Sequence, residues 1–567
     1  MAASLPIPVF NNLQDLYQNL GTSLNHAERW DNLAKEFKAR FGRTPTYIAR
    51  APGRVNTSPD AQQGEHIDYQ LFGVFPAAIE HDILIACAPR SSPDQHHHTP
   101  GSVIAENLHK KYTRQGFTPT RRPTLGPEWH LDIDKTELRW ESYVKAGYYA
   151  RDEFHFLIWC SSNGVLNHYF APNDAESVPI PVDLLVTGSV PAGSGLSSSA
   201  AMVVSSTLAF LAVNGLLDKV EENSQDAKTI TKGSLVEMAM ENEKRVGVNS
   251  GGMDQAASVI SLANSALYVS FFPQLSAKPI PLPGSSNSGG PGTPHATFIC
   301  ANSLVVSDKA VHAKTRYNLR VVETLAAARI LAVRLGVHVG SREKITLRTV
   351  MARLMGETED GAEADEEKLR AGLERMAQEV ECLRPQEAKG HADELGVTLE
   401  TMIEWSEMGR EAFNDVYLSW VDVEATYFQL YKRAKHVYLE ALRVLQFRDL
   451  CLNASSNPAE GSSVLKALGT LMNESQESCA SLCEITCPEV DELARLAMEA
   501  GAYGSRVTGA GWGGCTVSLV DETQVDSFIA KIKASYGPYK GLEEEALREA
   551  IFATKPSSGA CVYKFED

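Results

Sequence analysis

The sequence predicts a fold that combines α-helices and β-strands in two large domains. The chain has 567 residues, well beyond the roughly 150 residues of a typical single domain. Its 43% hydrophobic and 22% charged residues match the averages of folded globular proteins. Short β-type runs occur beside longer helical ones, and there is no internal repeat. Most of the chain is therefore expected to fold.

The first hundred residues begin with a helical pattern and continue with a strand. Apolar residues recur at helical spacing over residues 12–42, and the pattern ends at Gly42, before Pro45. β-type residues follow at 46–50. The run 91–98 has turn composition and three adjacent histidines, which cannot all face one metal from a regular element. We expect this run to be an exposed loop.

A segment rich in Gly, Ser and Pro at 284–294 marks the clearest boundary. Such a segment is flexible and has no apolar anchor. It either joins two lobes or forms a long hairpin loop, because residues 267–272 and 296–300 on its two sides both look like strands. We place an N-terminal lobe at 1–290 and a C-terminal lobe at 291–567.

The chain is acidic, with a formal net charge of −18. This charge argues against a general electrostatic hold on nucleic acid or acidic membranes, so an anionic ligand needs a local pocket. The acidic bias at 356–367 predicts a solvated helical insertion near 356–400 in the C-terminal lobe. There is no signal-peptide pattern and no apolar run of membrane-spanning length. We expect a cytoplasmic protein without a nucleic-acid or membrane partner.

Ten cysteines are scattered along the chain, which is typical of buried reduced thiols rather than of a disulfide framework. Cys479, Cys483 and Cys487 recur every four residues and would share one helix face. No CxxC pair or nearby histidine completes a zinc set. We therefore expect these three cysteines to be packing residues.

The most informative segment is 191–201, where glycines and hydroxyl side chains are concentrated in one turn. A β-type run at 181–188 precedes it, and an apolar helical run at 201–217 follows it. Backbone N–H groups at a helix N-terminus attract anions, and glycine lets the main chain approach phosphate oxygens closely. The segment predicts a phosphate-holding loop; a packing turn of small residues is the alternative.

A second glycine cluster lies at 504–515, before the β-type run 516–520. Its glycines precede a strand instead of following one and opening a helix, so the order typical of dinucleotide binding is absent. The cluster is either a glycine-rich hairpin turn or a brace that brings more backbone against the ligand of the first loop.

A third cluster follows the strand at 46–50. It places a guanidinium, two carboxylates and an imidazole within fifteen residues: Arg54, Glu65, His66 and Asp68. Such groups are rarely buried without partners, and together they suit the directional hydrogen bonds of sugar hydroxyls. A salt-bridged surface loop is the alternative.

Asp254 lies in the sequence GGMDQ, after the helix-like residues 237–245. A carboxylate in this position is a candidate general base. The alternative is that Asp254 is the N-cap of a helix.

Five motifs occur in the order APGRVN, GEHIDY, PAGSGLSSSAA, GGMDQ and VTGAGWGGC, and this set resembles the galactokinase branch of the GHMP small-molecule kinases. The resemblance extends from residue 50 to residues 561–564 and is closest to the fungal type and to the related N-acetylgalactosamine kinases. It implies an α+β fold of two lobes with the active site in the cleft between them. It also implies ATP-dependent phosphorylation of galactose at the anomeric hydroxyl, giving galactose 1-phosphate.

The resemblance assigns roles to individual residues. Asp254 would face the anomeric hydroxyl as a base or an orienting group, supported by Arg54. The sugar would be held by Arg54, Glu65, His66, Asp68, Gly251, Asp254 and Tyr317. The ATP phosphates would be wrapped by Gly193, Ser194, Gly195, Leu196, Ser197, Ser198 and Ser199, with Gly509, Ala510 and Gly511 bracing the site. Mg²⁺ would be approached by Ser199 and Glu243, with Glu241 as a neighbouring alternative to Glu243.

Two alternatives to a galactokinase stay open. An N-acetylgalactosamine kinase would need room for an acetamido group at C2. Fungal relatives also serve as galactose and ATP sensors that bind a transcriptional repressor, and these look degraded in the serine-alanine stretch. Here residues 197–201 are intact, which favours catalysis without excluding a repressor as partner. We expect a monomer.

The chain departs from the family at residues 57–63. Seven residues separate Asn56 from Gly64, whereas galactokinases have two at this place. We expect the additional five to form a polar, turn-like bulge between Arg54 and the pair Glu65 and Asp68, where the family has a short apolar link.

Overall fold

The computed structural model describes most of the chain: residues 2–17, 20–56, 66–90, 99–121, 128–134, 137, 139–148, 165–170, 178–217, 230–247, 251–283, 295–306, 312–357, 365–385, 396–456 and 461–565. The predicted histidine loop at 91–98, the Gly/Ser/Pro boundary at 284–294, the extra residues 57–63 and Glu65 lie outside these ranges. The division into lobes at residue 290 therefore stays a prediction.

Fifteen strands lie within these ranges. In chain order they are β1 (Val9–Phe10), β2 (Tyr47–Asn56), β3 (Pro76–Pro89), β4 (Val103–Asn107), β5 (Gln115–Phe117), β6 (Thr120–Arg121), β7 (Trp129–His130), β8 (Val182–Gly188), β9 (Ser265–Ser270), β10 (Ser276–Pro281), β11 (Ala296–Asn302), β12 (Gly504–Thr508), β13 (Cys515–Asp521), β14 (Ile551–Thr554) and β15 (Cys561–Lys564).

Helices make up the larger part of the described structure. They are α1 (Leu13–Tyr17), α2 (Leu20–Phe41), α3 (Trp140–Tyr148), α4 (Val165–Tyr169), α5 (Ser198–Val213), α6 (Lys232–Glu243), α7 (Met253–Ile260), α8 (Tyr317–Arg334), α9 (Leu347–Leu354), α10 (Glu366–Glu379), α11 (Leu399–Trp405), α12 (Arg410–Tyr417), α13 (Leu430–Ser456), α14 (Gly461–Ser478), α15 (Pro488–Ala500), α16 (Val525–Ser535) and α17 (Glu544–Ala550). Among the described helices, none is both long and apolar enough to cross a membrane.

A seven-stranded sheet forms the framework of the first half of the chain. Its strand order is β1-β15-β2-β3-β8-β4-β5. The last strand, β15, is antiparallel to β2, with Cys561 opposite Arg50. The sheet is therefore completed by residues from the far end of the sequence, which the pattern of residues near the N-terminus does not predict.

The two faces of this sheet are covered by helices. On one face α2 packs Trp30, Leu33 and Phe37 against the strands, in agreement with the helical periodicity predicted for residues 12–42. On the other face lies α5, which follows the phosphate-loop segment and packs against β2 and β3. Nearly all of α5 is buried, because it lies between the sheet and further helices.

A second, antiparallel sheet has the order β12-β13-β11-β14. Strand β11 pairs with β13 and β14, whereas β9 pairs with β10 in a separate hairpin. The strands on the two sides of 284–294 therefore belong to different sheets, and the interpretation of that segment as a hairpin loop is wrong.

The acidic segment lies between helices, as predicted. Helix α9 precedes it and α10 follows it, while residues 358–364 lie outside the described ranges.

The cysteine prediction is confirmed in part. Cys479 and Cys483 are buried in one apolar cluster, but they lie in a π-helical turn that ends at Glu484, where φ is 55°. Cys487 then precedes α15, so the shared helix face is wrong for it. It packs half-buried against the same apolar cluster, and the packing role is confirmed for all three cysteines. Within the described ranges, no group of three or more His, Cys, Asp or Glu could hold a metal ion.

Candidate active site

The phosphate-loop segment connects β8 to α5, so the strand–loop–helix prediction is confirmed. Gly193 and Gly195 have φ values of 70° and 76°, and Ser197, at the N-cap of α5, has a φ of 59°. Glycine adopts this left-handed region without strain, while a serine there is unusual. The Ser194 hydroxyl donates to the Pro191 carbonyl at 2.6 Å. The loop thus turns sharply and leaves backbone N–H groups at the start of a 16-residue helix.

The second glycine cluster is a hairpin turn between β12 and β13, and it lies directly against the phosphate loop. A Cβ atom on Gly195 would lie 2.7 Å from the Thr508 carbonyl oxygen and 3.0 Å from the Cα of Gly509. The backbone N–H of Cys515 donates to the Ser194 carbonyl at 2.9 Å. Both interpretations of this cluster therefore hold geometrically: it is a hairpin turn, and it braces the loop.

Strand β2 meets the same loop from the other side. Its pairing with β3 shifts register between Pro52 and Arg54, and such a bulge re-aims the side chains around it. Gly53 lies in the bulge, where a Cβ atom would be 2.7 Å from the Leu196 carbonyl oxygen. The Arg54 N–H donates to that carbonyl at 3.1 Å. Glycine at 53 lets the strand backbone contact the loop, and this contact places Arg54.

The Arg54 side chain joins the phosphate loop to Asp254. Its Nη1 donates to the Gly195 carbonyl at 2.8 Å, and its Nε donates to Asp254 Oδ1 at 3.0 Å. Both charged side chains are fully buried, so a salt-bridged surface loop does not describe Arg54. Burial lowers the pKa of Arg54 to about 10, against the opposing attraction of Asp254 and Glu243. The guanidinium is still charged at neutral pH.

Asp254 lies in the first turn of α7. The N-cap of this helix is Gly252, so the interpretation of Asp254 as the N-cap is wrong. Oδ1 accepts from Arg54, while the buried Oδ2 has no hydrogen-bond partner among the residues that the structure describes. A buried carboxylate oxygen without a partner is costly unless a ligand completes its hydrogen bonding.

Asp68 lies beside Asp254, in a short 3₁₀ turn (Asp68–Gln70). Its Oδ1 accepts from the Tyr69 N–H at 2.8 Å. A Cβ atom on Gly251 would lie 2.5 Å from Asp68 Oδ2, so only glycine fits there. Burial, and then the negative charge of Asp254, raise the pKa of Asp68 to about 6. The cluster predicted around Asp68 is thus a buried site, with Glu65 outside the described residues.

Aromatic rings enclose the side of the site next to Asp68. The ring of His66 lies 4.8 Å from that of Tyr317 and 6.0 Å from that of Trp512, and His66 Nδ1 is 2.7 Å from the Tyr69 hydroxyl. Tyr317 begins α8 and is buried, and burial raises the pKa of Tyr317 well above its usual value. Its phenol therefore stays neutral.

Trp512 and Tyr69 belong to the motifs of the sequence, but residue-level reasoning did not assign them a role. Trp512 comes from the hairpin turn that braces the phosphate loop, and Arg320 of α8 lies 5.4 Å from its ring. Trp512 thus links the glycine turn to the aromatic side of the site. The sequence does contain a signal for Trp512, because a large aromatic residue between glycines is unusual in a tight turn.

Glu243 is the last residue of α6, and Ser199 lies in the first turn of α5. These two helices pack together. Glu243 is buried and accepts a hydrogen bond from Gln255 Nε2. Glu241, the alternative, instead pairs with Lys244 near the surface at 2.5 Å. Gln255 follows Asp254 directly, and sequence reasoning assigned it no role either.

Comparisons with known proteins agree with this arrangement. Residues 35–89 match the galactokinase galactose-binding signature, residues 163–261 match the GHMP kinases N terminal domain, and residues 461–538 match the GHMP kinases C terminal model. These three matched ranges contain all five sequence motifs in full: two in the first, two in the second and the glycine turn in the third.

Two curated relatives extend over nearly the full length. The chain is 34% identical to galactokinase of Saccharomyces cerevisiae over 551 residues, which is 95% of each chain. It is 33% identical to galactokinase of Candida parapsilosis over 573 residues, which is 99% of each. The structure of Lactococcus lactis galactokinase complexed with galactose covers 94% of this chain and 99% of its own, with a TM-score of 0.52 and 21% identity. This structural similarity shows a shared fold.

Proposed function

This chain belongs to the galactokinase family of GHMP kinases, and from that premise we propose that Arg54, Asp68 and Asp254 carry the phosphorylation of galactose. The enzyme is an ATP-dependent galactokinase, which forms galactose 1-phosphate from the anomeric hydroxyl. The observation that carries the residue assignment is the Arg54 side chain, which contacts Asp254 and the Gly195 carbonyl at once. The acceptor side and the phosphate loop are therefore held by one buried cation.

Asp254 orients the attacking hydroxyl. Its Oδ1 is fixed by Arg54, which leaves Oδ2 as the acceptor for the anomeric O–H. Phosphoryl transfer through a loose transition state needs alignment and charge stabilisation more than early proton removal. Asp254 aligns the hydroxyl and receives its proton as the new bond forms between the sugar oxygen and the γ-phosphorus of ATP, while the bond from that phosphorus to the β,γ-bridging oxygen breaks and ADP leaves. Arg54 stabilises the negative charge beside it.

The hydroxyls on the rest of the sugar are held by Asp68, His66 and Tyr317, with Gly251 providing space. Asp68 ionises above a pKa of about 6, so at neutral pH it accepts hydrogen bonds from sugar hydroxyls. The neutral Tyr317 phenol is able to donate. We retain Glu65 as a sugar ligand from the family resemblance alone.

The ATP phosphates lie against the loop from Gly193 to Ser199, braced by Gly509, Ala510 and Gly511. Its left-handed glycines and the N-terminus of α5 provide backbone donors and the positive end of a helix dipole. This arrangement supports the phosphate role, because the overall charge of −18 leaves no general attraction for a triphosphate.

The hydroxyl of Ser199 and the carboxylate of Glu243 would hold Mg²⁺. Oxygen donors of this kind suit Mg²⁺, which usually takes one or two protein ligands together with phosphate oxygens and waters. Gln255 fixes Glu243 by a hydrogen bond, and the pairing of Glu241 with Lys244 favours Glu243 as the ligand. When bound, the ion neutralises phosphate charge.

A phosphorylation assay tests the proposed function. The purified chain, ATP and Mg²⁺ are incubated separately with galactose and with N-acetylgalactosamine, and the product is identified by ³¹P NMR. We expect galactose 1-phosphate, with a much higher kcat/KM for galactose. Binding of galactose and ATP without turnover would instead indicate a sensor. The expected monomeric state, cytoplasmic location and repressor partner stay predictions.

A further inference from the structure

Trp512, in the glycine turn beside the sugar side of the site, is fastened to the chain at Ile485. Its backbone N–H donates to the Ile485 carbonyl at 2.5 Å, and a Cβ atom on the neighbouring Gly511 would collide with the same oxygen. The Trp512 side chain packs against the apolar cluster that contains Ile485. The position of the Trp512 ring, which lies 6.0 Å from the ring of His66, therefore depends on where the backbone at Ile485 lies.

Ile485 follows an irregular helix end. After α14 the chain forms the π-helical turn Cys479–Cys483, and Glu484 then has a φ of 55° and a ψ of 52°. This left-handed conformation is unfavourable for a residue with a Cβ atom. π-helical turns are rare and often occur at functional sites, and the last carbonyls of any helix have no partner within the helix. Contacts from elsewhere in the fold must therefore hold this helix end in place.

Two buried arginines from other helices supply these contacts. Arg433 of α13 donates through Nη1 to the Leu482 carbonyl at 2.5 Å. Arg320 of α8 donates through Nε to the Cys483 carbonyl at 2.7 Å and through Nη2 to the Glu484 carbonyl at 3.1 Å. Three successive carbonyls at the negative end of a helix thus accept hydrogen bonds from cations, which stabilises the helix end electrostatically.

Two carboxylates fix these arginines in turn. Glu323 is 1% exposed, and its Oε2 accepts from Arg433 Nε at 2.8 Å and from Arg320 Nη1 at 3.2 Å. Glu484 Oε2 accepts from Arg433 Nη2 at 2.7 Å, and its Oε1 accepts from Lys432 Nζ at 2.7 Å. We call Arg320, Glu323, Arg433 and Glu484 the charged cluster. A guanidinium with acceptors on several of its N–H groups has a fixed orientation, so the charged cluster holds the helix end in one position.

The charged cluster also reaches the Trp512 ring directly. The Arg320 guanidinium lies 5.4 Å from the centre of that ring, a distance at which a cation attracts an aromatic face. Arg320 lies one turn after Tyr317 on α8, and Tyr317 is a proposed sugar ligand. The Trp512 ring is therefore held from two sides, by the backbone at Ile485 and by Arg320.

We propose that Glu484 is a positioning residue for the sugar, which fixes Trp512 through its ion pair with Arg433 and through the backbone that leads to Ile485. The effect on the sugar rests on the proposed function; the effect on the position of Trp512 does not. Within the charged cluster only the Glu484 side chain is substantially exposed, at 40%. A substitution there leaves the buried core packed.

¹⁹F NMR tests the position of Trp512. The full chain is labelled with 5-fluorotryptophan, and the Trp512 resonance is identified as the one absent from Trp512→Phe. We expect its chemical shift to change in Glu484→Ala. Glu381→Ala is the matched control, because the Glu381 carboxylate also pairs with a lysine of α13, Lys435, at 3.3 Å but lies outside the charged cluster. An unchanged Trp512 resonance in Glu484→Ala, or an equal change in Glu381→Ala, would overturn the proposal.

A double-mutant cycle tests the effect on the sugar. Glu484→Ala should raise the KM for galactose about two- to fivefold, the range expected for a partly exposed ion pair, and should change the KM for ATP less. In a chain that already carries Trp512→Ala, Glu484→Ala should cause no further rise, because the effects of residues that act through one contact are not additive. A general structural role for Glu484 would instead give additive effects.

Glu484→Gln keeps the shape and one acceptor oxygen of the side chain, so it should restore part of the affinity for galactose. An additive rise in the cycle, no rise in Glu484→Ala, or a larger rise in the KM for ATP would overturn the proposal. A wild-type chain that does not phosphorylate galactose would count against the proposed function and leave the NMR result standing.

Discussion

The phosphate loop and the sugar side of the site use different parts of the residues: backbone groups in the loop and side chains on the sugar side. The loop uses backbone groups. Gly193 and Gly195 have left-handed conformations, and the loop's carbonyls accept hydrogen bonds from the Cys515 N–H and from the Arg54 side chain. The sugar side uses buried charged side chains, with Asp68 and Asp254 at most 2% exposed. Backbone recognition depends on shape, whereas side-chain recognition depends on charge and protonation.

This difference predicts separable effects. Changes that alter the shape of the loop should act on ATP, and changes that alter charge should act on galactose and on the chemical step. Arg54 is the one side chain described that joins the two regions directly, so the separation should fail there.

The largest effect is expected from Asp254→Ala. The variant loses the group that orients the hydroxyl and accepts its proton, so kcat should fall by about 10²–10⁴. ATP binding should stay close to that of the wild type, because the loop backbone is unchanged. Single-turnover kinetics and titration with an ATP analogue measure the two quantities.

Asp254→Asn is the matched control for Asp254→Ala. It keeps the shape and one acceptor oxygen but removes the charge that pairs with Arg54. Near-normal turnover in Asp254→Ala would show that the residue assignment is wrong.

The next effect concerns Gly195→Ala. The added methyl group would meet the Thr508 carbonyl at 2.7 Å, at a φ of 76°. Strain and displacement of the loop should cost about 1–3 kcal/mol, which corresponds to a roughly 5- to 150-fold rise in the KM for ATP. The KM for galactose should change much less. Gly215→Ala is the control, because Gly215 also has a positive φ (64°) but open space around it.

Equal rises of both KM values in Gly195→Ala would show that the loop and the sugar side do not respond separately.

The pH dependence of galactose binding tests the sugar side alone. Asp68 has a pKa raised to about 6, so it becomes protonated as the pH falls through 6. The neutral acid is a poorer acceptor, and the KM for galactose should rise about tenfold per pH unit below this value. Arg54 stays charged throughout. A pH profile between 5 and 8, compared with that of Asp68→Asn, measures the effect, and an unchanged profile in Asp68→Asn would contradict it.

The same pKa shift affects the stability of the sugar-free protein. A carboxyl whose pKa is raised on folding binds more protons in the folded state than in the unfolded state. Its contribution to the free energy of unfolding is therefore greatest at pH values below its ordinary pKa of 3.8. This stability is lost as the pH rises through about 6. At pH 7, Asp68→Asn should therefore unfold at a higher temperature than the wild type, as measured by differential scanning calorimetry.

The smallest effect is expected at Trp512. Loss of its ring contact with His66 in Trp512→Ala should cost about 0.5–1.5 kcal/mol, or roughly a 2- to 10-fold rise in the KM for galactose. Trp512→Phe keeps an aromatic ring and should restore most of the affinity. Initial-rate kinetics with each substrate varied would show the effect; a larger rise in the KM for ATP than in that for galactose would assign Trp512 to the loop.

The parts of the site that the sequence predicts are those specified by local chemistry. The strand–loop–helix arrangement around residues 191–201 follows from glycines and serines between a β-type and a helical run. The strand β10 was not predicted, because Pro279 and Pro281 lie in it and proline weakens a strand pattern. The two-stranded pairing with β9 tolerates them.

The remaining contacts depend on approaches between residues distant in sequence. Arg54 and Asp254 are 200 positions apart, and their pairing could be expected only from the family resemblance. The contacts of Gln255 with Glu243 and of Trp512 with His66 depend on how helices and turns pack. No spacing in the chain encodes them.

The pairing of β15 with β2 has a consequence for synthesis of the protein. Strand β2 carries Arg54, and its outer edge is covered by Cys561–Lys564, while Arg50 on the same strand donates to the Ser558 carbonyl at 3.0 Å. A ribosome-bound chain that lacks these residues exposes an unpaired edge beside the catalytic strand, which is a site for aggregation. The central sheet therefore closes only after residues 557–564 leave the ribosome.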